Sequence, residues 1–505
     1  MGAVGVVHYG WYKVISDEYQ VEISIVEQLY NFINGEYIPP SLNQYIDVFE
    51  PAIGKVYAQV ADSNSDDVEN AFRFAEDAFS GWSELTVKER ADFLNRIADG
   101  IESRLDEFAY YESKDTGKPI SQARTVDIPR AVANFRFFSK YGHSFEFESN
   151  LIDDISKNKV VRSPLGVVGC ISPWNLPLYL FSWKIAPALI AGNTVLAKPS
   201  ELTPYTAFKL GEICQDSGLP PGVLNIIHGQ GSIAGDAMVS HPKIKAVSFT
   251  GGTATGKLIA EKTASSFKKL SLEMGGKNPA IIFSDCNYDK MLETVIWSSF
   301  SNQGQVCLCS SRILIEKSIY EKFKKDFISL VSELIVGDPN DEETQFGAVS
   351  SQAHYNKILD YIILGKQEGG EILLGGNAVK INGRCKDGYF IEPTIFQGLK
   401  NSCQTNQDEI FGPVVTLIPF DTEEDGIQIA NNIKYGLSAT IWTEDMVKAQ
   451  RVAKGVDAGV IWVNCWLVRD LRTPFGGMKK SGLGREGGDE ALRFFTEPKN
   501  ICTLI

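Results

Sequence analysis

The sequence predicts two α/β domains with a small additional β element. From position 160 onward, short β-rich apolar runs alternate with helical stretches. That alternation builds a parallel sheet covered by helices. The second half of the chain repeats the pattern, and 505 residues suffice for two or three domains with large cores.

Taken in order, residues 1–28 have weak periodicity and read as an extension. The body begins near Tyr30, at Tyr-Asn-Phe-Ile-Asn-Gly. Apolar residues at helical spacing predict helices over 66–82, 86–105 and 127–140. Strands follow over 166–171, 194–197, 223–227 and 246–250, with helices over 203–216 and from 255. The second half predicts strands at 312–315, 414–419, 438–442 and 460–463, and a helix over 319–335.

Bulk properties exclude several classes. The net charge of −14 leaves no global positive field for an obligate nucleic-acid partner. The apolar region 165–197 is broken by Pro173, Pro177, Lys184 and Pro187, so no membrane span is expected. Nine scattered cysteines and five histidines show no paired zinc-ligand spacing, so no metal is expected. Reduced thiols in a cytoplasmic protein account for the odd cysteine count. The first 20 residues carry Lys13, Asp17 and Glu18 without arginine, which fits neither a secretory nor a transit peptide.

The most chemical segment runs from Phe300 to Cys309, Phe-Ser-Asn-Gln-Gly-Gln-Val-Cys-Leu-Cys. Gly304 and the flanking amides suit a tight turn whose N–H groups favour a thiolate and hold an oxyanion. That makes Cys307 a candidate nucleophile, with Cys309 in competition and a buried structural cysteine as the plainer reading. Glu273, in Leu-Glu-Met-Gly-Gly-Lys, is a candidate base if buried, and otherwise a solvated strand-end carboxylate. Asn175, in Ser-Pro-Trp-Asn-Leu-Pro, can donate to an oxyanion or simply occupy a proline-bounded turn.

Four further segments belong with these. Phe249 to Lys257 reads Phe-Thr-Gly-Gly-Thr-Ala-Thr-Gly-Lys and suits a pyrophosphate at a helix N-terminus. The others are Lys198-Pro199-Ser200-Glu201, Glu409 to Val415, and Pro474 to Gly477. Together the segments resemble the aldehyde dehydrogenase superfamily over residues 30–505.

The resemblance implies an aldehyde dehydrogenase-like fold with a Rossmann-like NAD-binding domain, an α/β catalytic domain and a β oligomerisation arm. It divides the chain into an extension (1–28), the NAD-binding domain (29–141 and 165–276), the arm (142–164), the catalytic domain (277–476) and an oligomerisation tail (477–505). It implies Cys307 as nucleophile, Glu273 as base and Asn175 as oxyanion donor, together with the Cys307 N–H. It implies NAD held by Trp174, Lys198, Glu201, Gly251, Gly252, Gly256, Glu409 and Phe411. A carboxylate at Glu201 accepts from ribose hydroxyls and repels a 2′-phosphate, which favours NAD over NADP. Many members carry Ser where this chain has Gly252.

Two arginines set this chain apart from relatives acting on simple aliphatic aldehydes: Arg130 in Asp-Ile-Pro-Arg, and Arg469 in Asn-Cys-Trp-Leu-Val-Arg-Asp-Leu-Arg. Arginine binds carboxylate bidentately, so a pair in one tunnel suits an anionic aldehyde. Spacing alone equally permits pairing of Arg469 with Asp470 and of Arg130 with Asp127. The combination is similar to the 2-aminomuconic and 2-hydroxymuconic semialdehyde dehydrogenases. It implies oxidation of 2-aminomuconate 6-semialdehyde in tryptophan catabolism by the kynurenine route, with Arg472 assisting and Trp183 lining the tunnel. The alternatives are 2-hydroxymuconic semialdehyde, retinal, betaine aldehyde or a non-enzymatic structural relative. The arm and tail imply a homodimer or a dimer of dimers.

Overall fold

The structure, a computed structural model, describes residues 26–505. Two large sheets organise it. Five parallel strands form the centre of the first: Lys269–Glu273, Ala246–Thr250, Val167–Ile171, Thr194–Lys198 and Leu224–Ile226, in that spatial order. Ala246–Thr250, Val167–Ile171 and Thr194–Lys198 are buried on both faces almost throughout, which explains why apolar residues stand on both faces of each. The chain begins at Val167–Ile171 in the middle and moves outward to Leu224–Ile226. It then crosses back to Ala246–Thr250 on the other side. The reversal lies between Val167–Ile171 and Ala246–Thr250, and a crevice opens at their carboxyl ends.

Helices cover both faces. Pro177–Ile190 has all but one of its residues buried and lies among Val87–Ser103 and Ile128–Tyr141, where Leu94, Phe135, Phe181 and Leu189 meet. On the opposite face Phe72, Val247 and Phe249 pack with Met238 and Ile259. The helix ends carry their own signals. Ser65–Glu84 is opened by a capping box of Asn64 and Asp67, and Val87–Ser103 by one of Thr86 and Glu89.

The second sheet has seven strands in the order Glu371–Leu374, Thr394–Gln397, Val414–Phe420, Ser310–Glu316, Asn278–Ile282, Ser438–Trp442 and Val460–Val463. All pairings but the first are parallel. Only residues 274–277 link the end of Lys269–Glu273 to the start of Asn278–Ile282. The carboxyl ends of the first sheet's strands therefore meet the amino ends of the second's.

A hairpin of Glu148–Ile152 and Ser156–Pro164 forms a third sheet with Thr496–Leu504. The segment expected as an oligomerisation tail is shared among several places. Gly482–Leu483 pairs antiparallel with Lys269–Glu273 and closes that edge of the first sheet. The helix Gly488–Phe494 packs Ala491 and Leu492 into the core beside the first sheet. Thr496–Leu504 alone joins the hairpin. At the other end, residues 1–25 of the expected extension lie outside the described residues, and Glu27–Leu29 is a strand paired with Lys55–Ala61.

Among the described residues no helix is long and apolar enough to cross a membrane. All nine cysteines are free thiols.

Candidate active site

Cys307 stands where two cavities meet. One, of about 810 Å³, is walled by Glu273, Trp183, Trp466, Arg469 and Phe475. The other, of about 770 Å³, is walled by Trp174, Asn175, Gly251, Gly252, Glu409 and Phe411. Cys307, Leu180, Thr250 and Met274 belong to both. A ligand in either space can therefore reach the same sulfur.

The loop that presents Cys307 is strained. The helix Tyr288–Phe300 stops, and Asn302, Gln303 and Gly304 follow with φ of 51°, 57° and 71°. Left-handed backbone at the two non-glycine residues costs about 1–3 kcal/mol each. A Cβ on Gly304 would lie 2.2 Å from Gly412 O, so only glycine fits there. Side-chain amides hold the loop. Asn278 Nδ2 donates to Cys307 O at 2.7 Å and to Cys309 O at 3.0 Å, while its Oδ1 accepts from Ser438 N–H at 3.1 Å. Asn278 thus ties together the starts of three neighbouring strands beneath the thiol.

Burial raises the Cys307 thiol well above its ordinary value. Glu409, Glu273 and Cys309 add to the effect, and Arg469 opposes it. Cys309 is buried on the other side of the loop, with Sγ 3.7 Å from Ser301 O.

Asn175 is buried, and its Nδ2 donates to Gln305 O at 2.8 Å. One amide hydrogen is committed there. The second is left, among the described residues, for a ligand. Glu273 is 4% exposed, and neither of its carboxyl oxygens has a partner among the described residues. Burial holds it well above the usual carboxylate range; Glu486 reinforces this, and Lys184, Arg485 and Arg469 oppose it. A Cβ on Gly476 would lie 2.6 Å from Glu273 Oε1, so that glycine leaves the carboxyl its space.

Glu486 and Lys184 gave no signal as site residues. Their ion pair spans 2.7 Å, and Lys184 Nζ also donates to Ser248 Oγ at 3.1 Å. A lysine inside the apolar run 165–197 was the one visible hint. His354 was also missed. Its Nε2 donates to Phe411 O at 2.6 Å, and burial lowers it to about 4, so the ring is neutral.

On the second cavity, Trp174 meets Phe411 edge-on at 5.3 Å. Glu409 packs against the bare Cα of Gly275 and accepts from Gly276 N–H at 2.8 Å. Burial pushes its carboxyl up to about 7. Gly252 caps the helix Thr253–Thr263 with no side-chain hydrogen bond, and a Cβ there would meet nothing within 4 Å. Gly256 is required by packing, since its Cβ would strike Met274 Sδ. Buried Lys198 donates to Glu201 at 3.2 Å, at the end of Thr194–Lys198.

The arginines separate. Arg469 Nη1 donates to Tyr179 Oη at 3.1 Å, and its guanidinium lies over the rings of Phe475 at 4.2 Å and Trp183 at 4.9 Å. Asp470 is taken by Arg472, which is 71% exposed, and Asp127 by Lys118. Neither pairing that spacing permitted for Arg469 and Arg130 is formed. Arg130 is half-buried beside Tyr179, 5.9 Å from the ring centroid, and does not wall the cavity that Arg469 enters. Trp183 does, with its indole N–H unpartnered among the described residues.

Residues 37–501 match the aldehyde dehydrogenase family. The 2-aminomuconic semialdehyde dehydrogenase of Danio rerio is 49% identical over 94% of this chain and 97% of its own. The 2-hydroxymuconic semialdehyde dehydrogenase of Pseudomonas sp. strain CF600 is 43% identical over 95% of this chain and 100% of its own. An aldehyde dehydrogenase from Bacillus cereus, solved as its NAD+ complex, superposes with a TM-score of 0.92 at 35% identity, covering 95% of this chain and 97% of that one. With a thiol, a carboxyl and an amide gathered at the crevice between its sheets, this chain belongs to the aldehyde dehydrogenase family.

Proposed function

We propose that the chain oxidises 2-aminomuconate 6-semialdehyde to 2-aminomuconate, with NAD as hydride acceptor. The observation that carries the substrate is Arg469. Its guanidinium enters the cavity of Cys307 and Glu273 without a carboxylate partner among the described residues. A half-buried cation over two aromatic rings favours a substrate that brings its own carboxylate. The names of the relatives above point to the same class of aldehyde.

The second cavity fits NAD. Gly252 leaves the first N–H groups of Thr253–Thr263 without a cap and beside open space, which suits a pyrophosphate. Glu409 suits a ribose hydroxyl, as does Glu201 beside Lys198 farther along the edge. Trp174 and Phe411 would flank the nicotinamide.

The residues divide the chemistry as follows. Cys307 Sγ, once deprotonated, bonds to the aldehyde carbon. The Asn175 amide and the Cys307 N–H hold the resulting oxyanion. NAD, when bound, supplies the hydride acceptor, and loss of hydride leaves a thioester on Cys307. Glu273 takes a proton from water, hydroxide adds to the thioester carbon, and the acid leaves as the C–S bond breaks. Burial, which raises the carboxyl, favours its protonated form, and only the carboxylate can take that proton.

Oxidation of 2-hydroxymuconic semialdehyde is the second reading, because its carboxylate would meet Arg469 in the same way. NADH formation by the purified chain with that compound, beside retinal and hexanal, tests the proposal. Strong preference for the muconic compound is expected. Preference for retinal or hexanal would refute the carboxylate reading.

The proposal includes the cytoplasm, where nine free thiols stay reduced. It also includes a homodimer or dimer of dimers through the hairpin and the strand Thr496–Leu504, which expose Leu151, Ile152, Ile155 and Leu504. Light scattering that gave only one chain mass would count against that assembly.

A further inference from the structure

Asn175 sits in a turn that a buried ionic cluster holds from behind. Lys118 and Asp127 are both fully buried and form an ion pair. Lys118 Nζ also donates to Asn175 O at 3.1 Å. Two residues beyond that turn, Leu178 N–H donates to Glu112 Oε2 at 3.4 Å, and Thr206 Oγ1 donates to the same oxygen at 2.9 Å. Glu112 is fully buried as well, and Lys118 is the cation that opposes its protonation. The cluster therefore grips both sides of the turn, at the carbonyl of Asn175 and at the start of Pro177–Ile190.

The surroundings fix the cluster itself. The helix Leu105–Thr116 ends in left-handed Gly117, whose carbonyl accepts from Ala348 N–H at 2.8 Å. That bond pins the backbone before Lys118 to the second half of the chain. Asp127 ends a π-helical turn, Ala123–Asp127, and walls the cavity of Cys307. Such turns are frequent at functional sites. The same carbonyl of Asn175 also accepts from Asn302 Nδ2 at 3.0 Å, and Asn302 Nδ2 reaches Gln305 O at 3.2 Å. Gln305 O is also the acceptor of the Asn175 amide. The main chain and side chain of Asn175 are thus both referenced to the nucleophile loop, and Lys118 supplies the one charged contact.

We infer that the Lys118–Asp127 pair, with Glu112, is a positioning device that aims the Asn175 amide. Lys118 does not touch substrate. It fixes the carbonyl about which the Asn175 side chain is oriented. This rests on the reading of Asn175 as oxyanion donor. An amide displaced by about 1 Å loses much of its transition-state contact, a change that can cost about a hundredfold in rate.

The test is a double-mutant cycle on the full chain. Asn175→Ala, Lys118→Met and the double variant are assayed for kcat and KM per active site, counted by Cys307 titration. Asn175→Ala is expected to lower kcat about 100-fold or more, the scale for one lost oxyanion donor. Lys118→Met is expected to lower kcat about ten- to a hundredfold with KM changed less than about threefold. The double variant is expected to be no slower than Asn175→Ala alone, because the two losses are one loss.

A merely structural lysine would reduce the number of active sites, and would either leave kcat per site intact or lower it by a factor that multiplies that of Asn175→Ala. Either of the last two results would overturn the inference. An unchanged kcat in Asn175→Ala would sink the oxyanion reading, and the inference with it. If Lys118→Met does not fold, Asp127→Asn takes its place in the cycle. It keeps an acceptor for the ammonium, is expected to lose less kcat, and must show the same non-additivity with Asn175→Ala.

Discussion

Arg469→Met separates charge recognition from packing. The guanidinium lies over Phe475 at 4.2 Å and Trp183 at 4.9 Å, and a methionine stem can still cover part of those rings. What the variant removes is the cation. Truncating one partner of a buried, hydrogen-bonded charge pair costs about 2–5 kcal/mol. Arg469 is half-buried, so screening favours the lower part of that range, about 2–3 kcal/mol. That corresponds to a fall in kcat/KM of roughly 30- to 150-fold for a carboxylated aldehyde. A neutral aldehyde such as hexanal loses only the stacking contribution, about 0.5–1 kcal/mol, or less than about fivefold. The assay is NADH absorbance at several concentrations of 2-hydroxymuconic semialdehyde and of hexanal, with thermal unfolding as a folding control. Equal losses for the two aldehydes at unchanged Tm would refute the reasoning, because a carboxylate partner must make the losses unequal.

Other consequences follow from the same geometry. Glu273→Gln should let a thioester accumulate on Cys307, visible as an acyl adduct by mass spectrometry; an unchanged adduct level would remove Glu273 as the base. Alkylation of Cys307 without NAD should be slow at neutral pH and keep rising through pH 9, since burial holds the thiol above its ordinary 9.0. A plateau at or below that pH would contradict the geometry. Gly476→Ala should destabilise the fold by about 1–3 kcal/mol through overpacking. It should also slow deacylation more than acylation, because the new methyl would lie 2.6 Å from Glu273 Oε1. Equal slowing of both steps would assign Gly476 to packing alone. Deacylation should also increase with pH, because the raised carboxyl becomes a base only above its shifted value; a flat profile in pre-steady-state measurements would exclude that control.

Periodic elements were legible in the sequence because tertiary packing left their local signals intact. The strands Ala246–Thr250, Ser438–Trp442 and Val460–Val463 match the predicted bounds, and Ser65–Glu84 extends the predicted helix by a few residues at its ends. Elements made by distant contacts were not legible. Gly482–Leu483 is a two-residue strand formed because the edge of Lys269–Glu273 needs a partner. The turn before Cys307 was expected from Gly304, but left-handed Asn302 and Gln303 were not, since only the surrounding amide contacts hold them. At the site, Cys307, Glu273 and Asn175, singled out by local motifs, line the two adjoining cavities. Glu486 was not singled out, because its partner Lys184 lies 302 residues away in sequence. The two arginines carried equal weight in the sequence, and three-dimensional placement alone distinguishes Arg469 from Arg130.

The strand Gly482–Leu483 and the pair Lys184–Glu486 have a consequence for biosynthesis. When a ribosome has finished residue 480, Cys307 and every strand of the two large sheets except Gly482–Leu483 have been made. Yet the first sheet still has an open edge, and Lys184 lies buried without its carboxylate. Glu486, which raises the Glu273 carboxyl, and Arg485, which opposes it, are also missing. Contacts this distant in sequence form last and slowly. Closure of the site should therefore wait until residues 482–486 have left the ribosome and docked, and a nascent chain without them should hold Cys307 beside a Glu273 that lacks its neighbour Glu486.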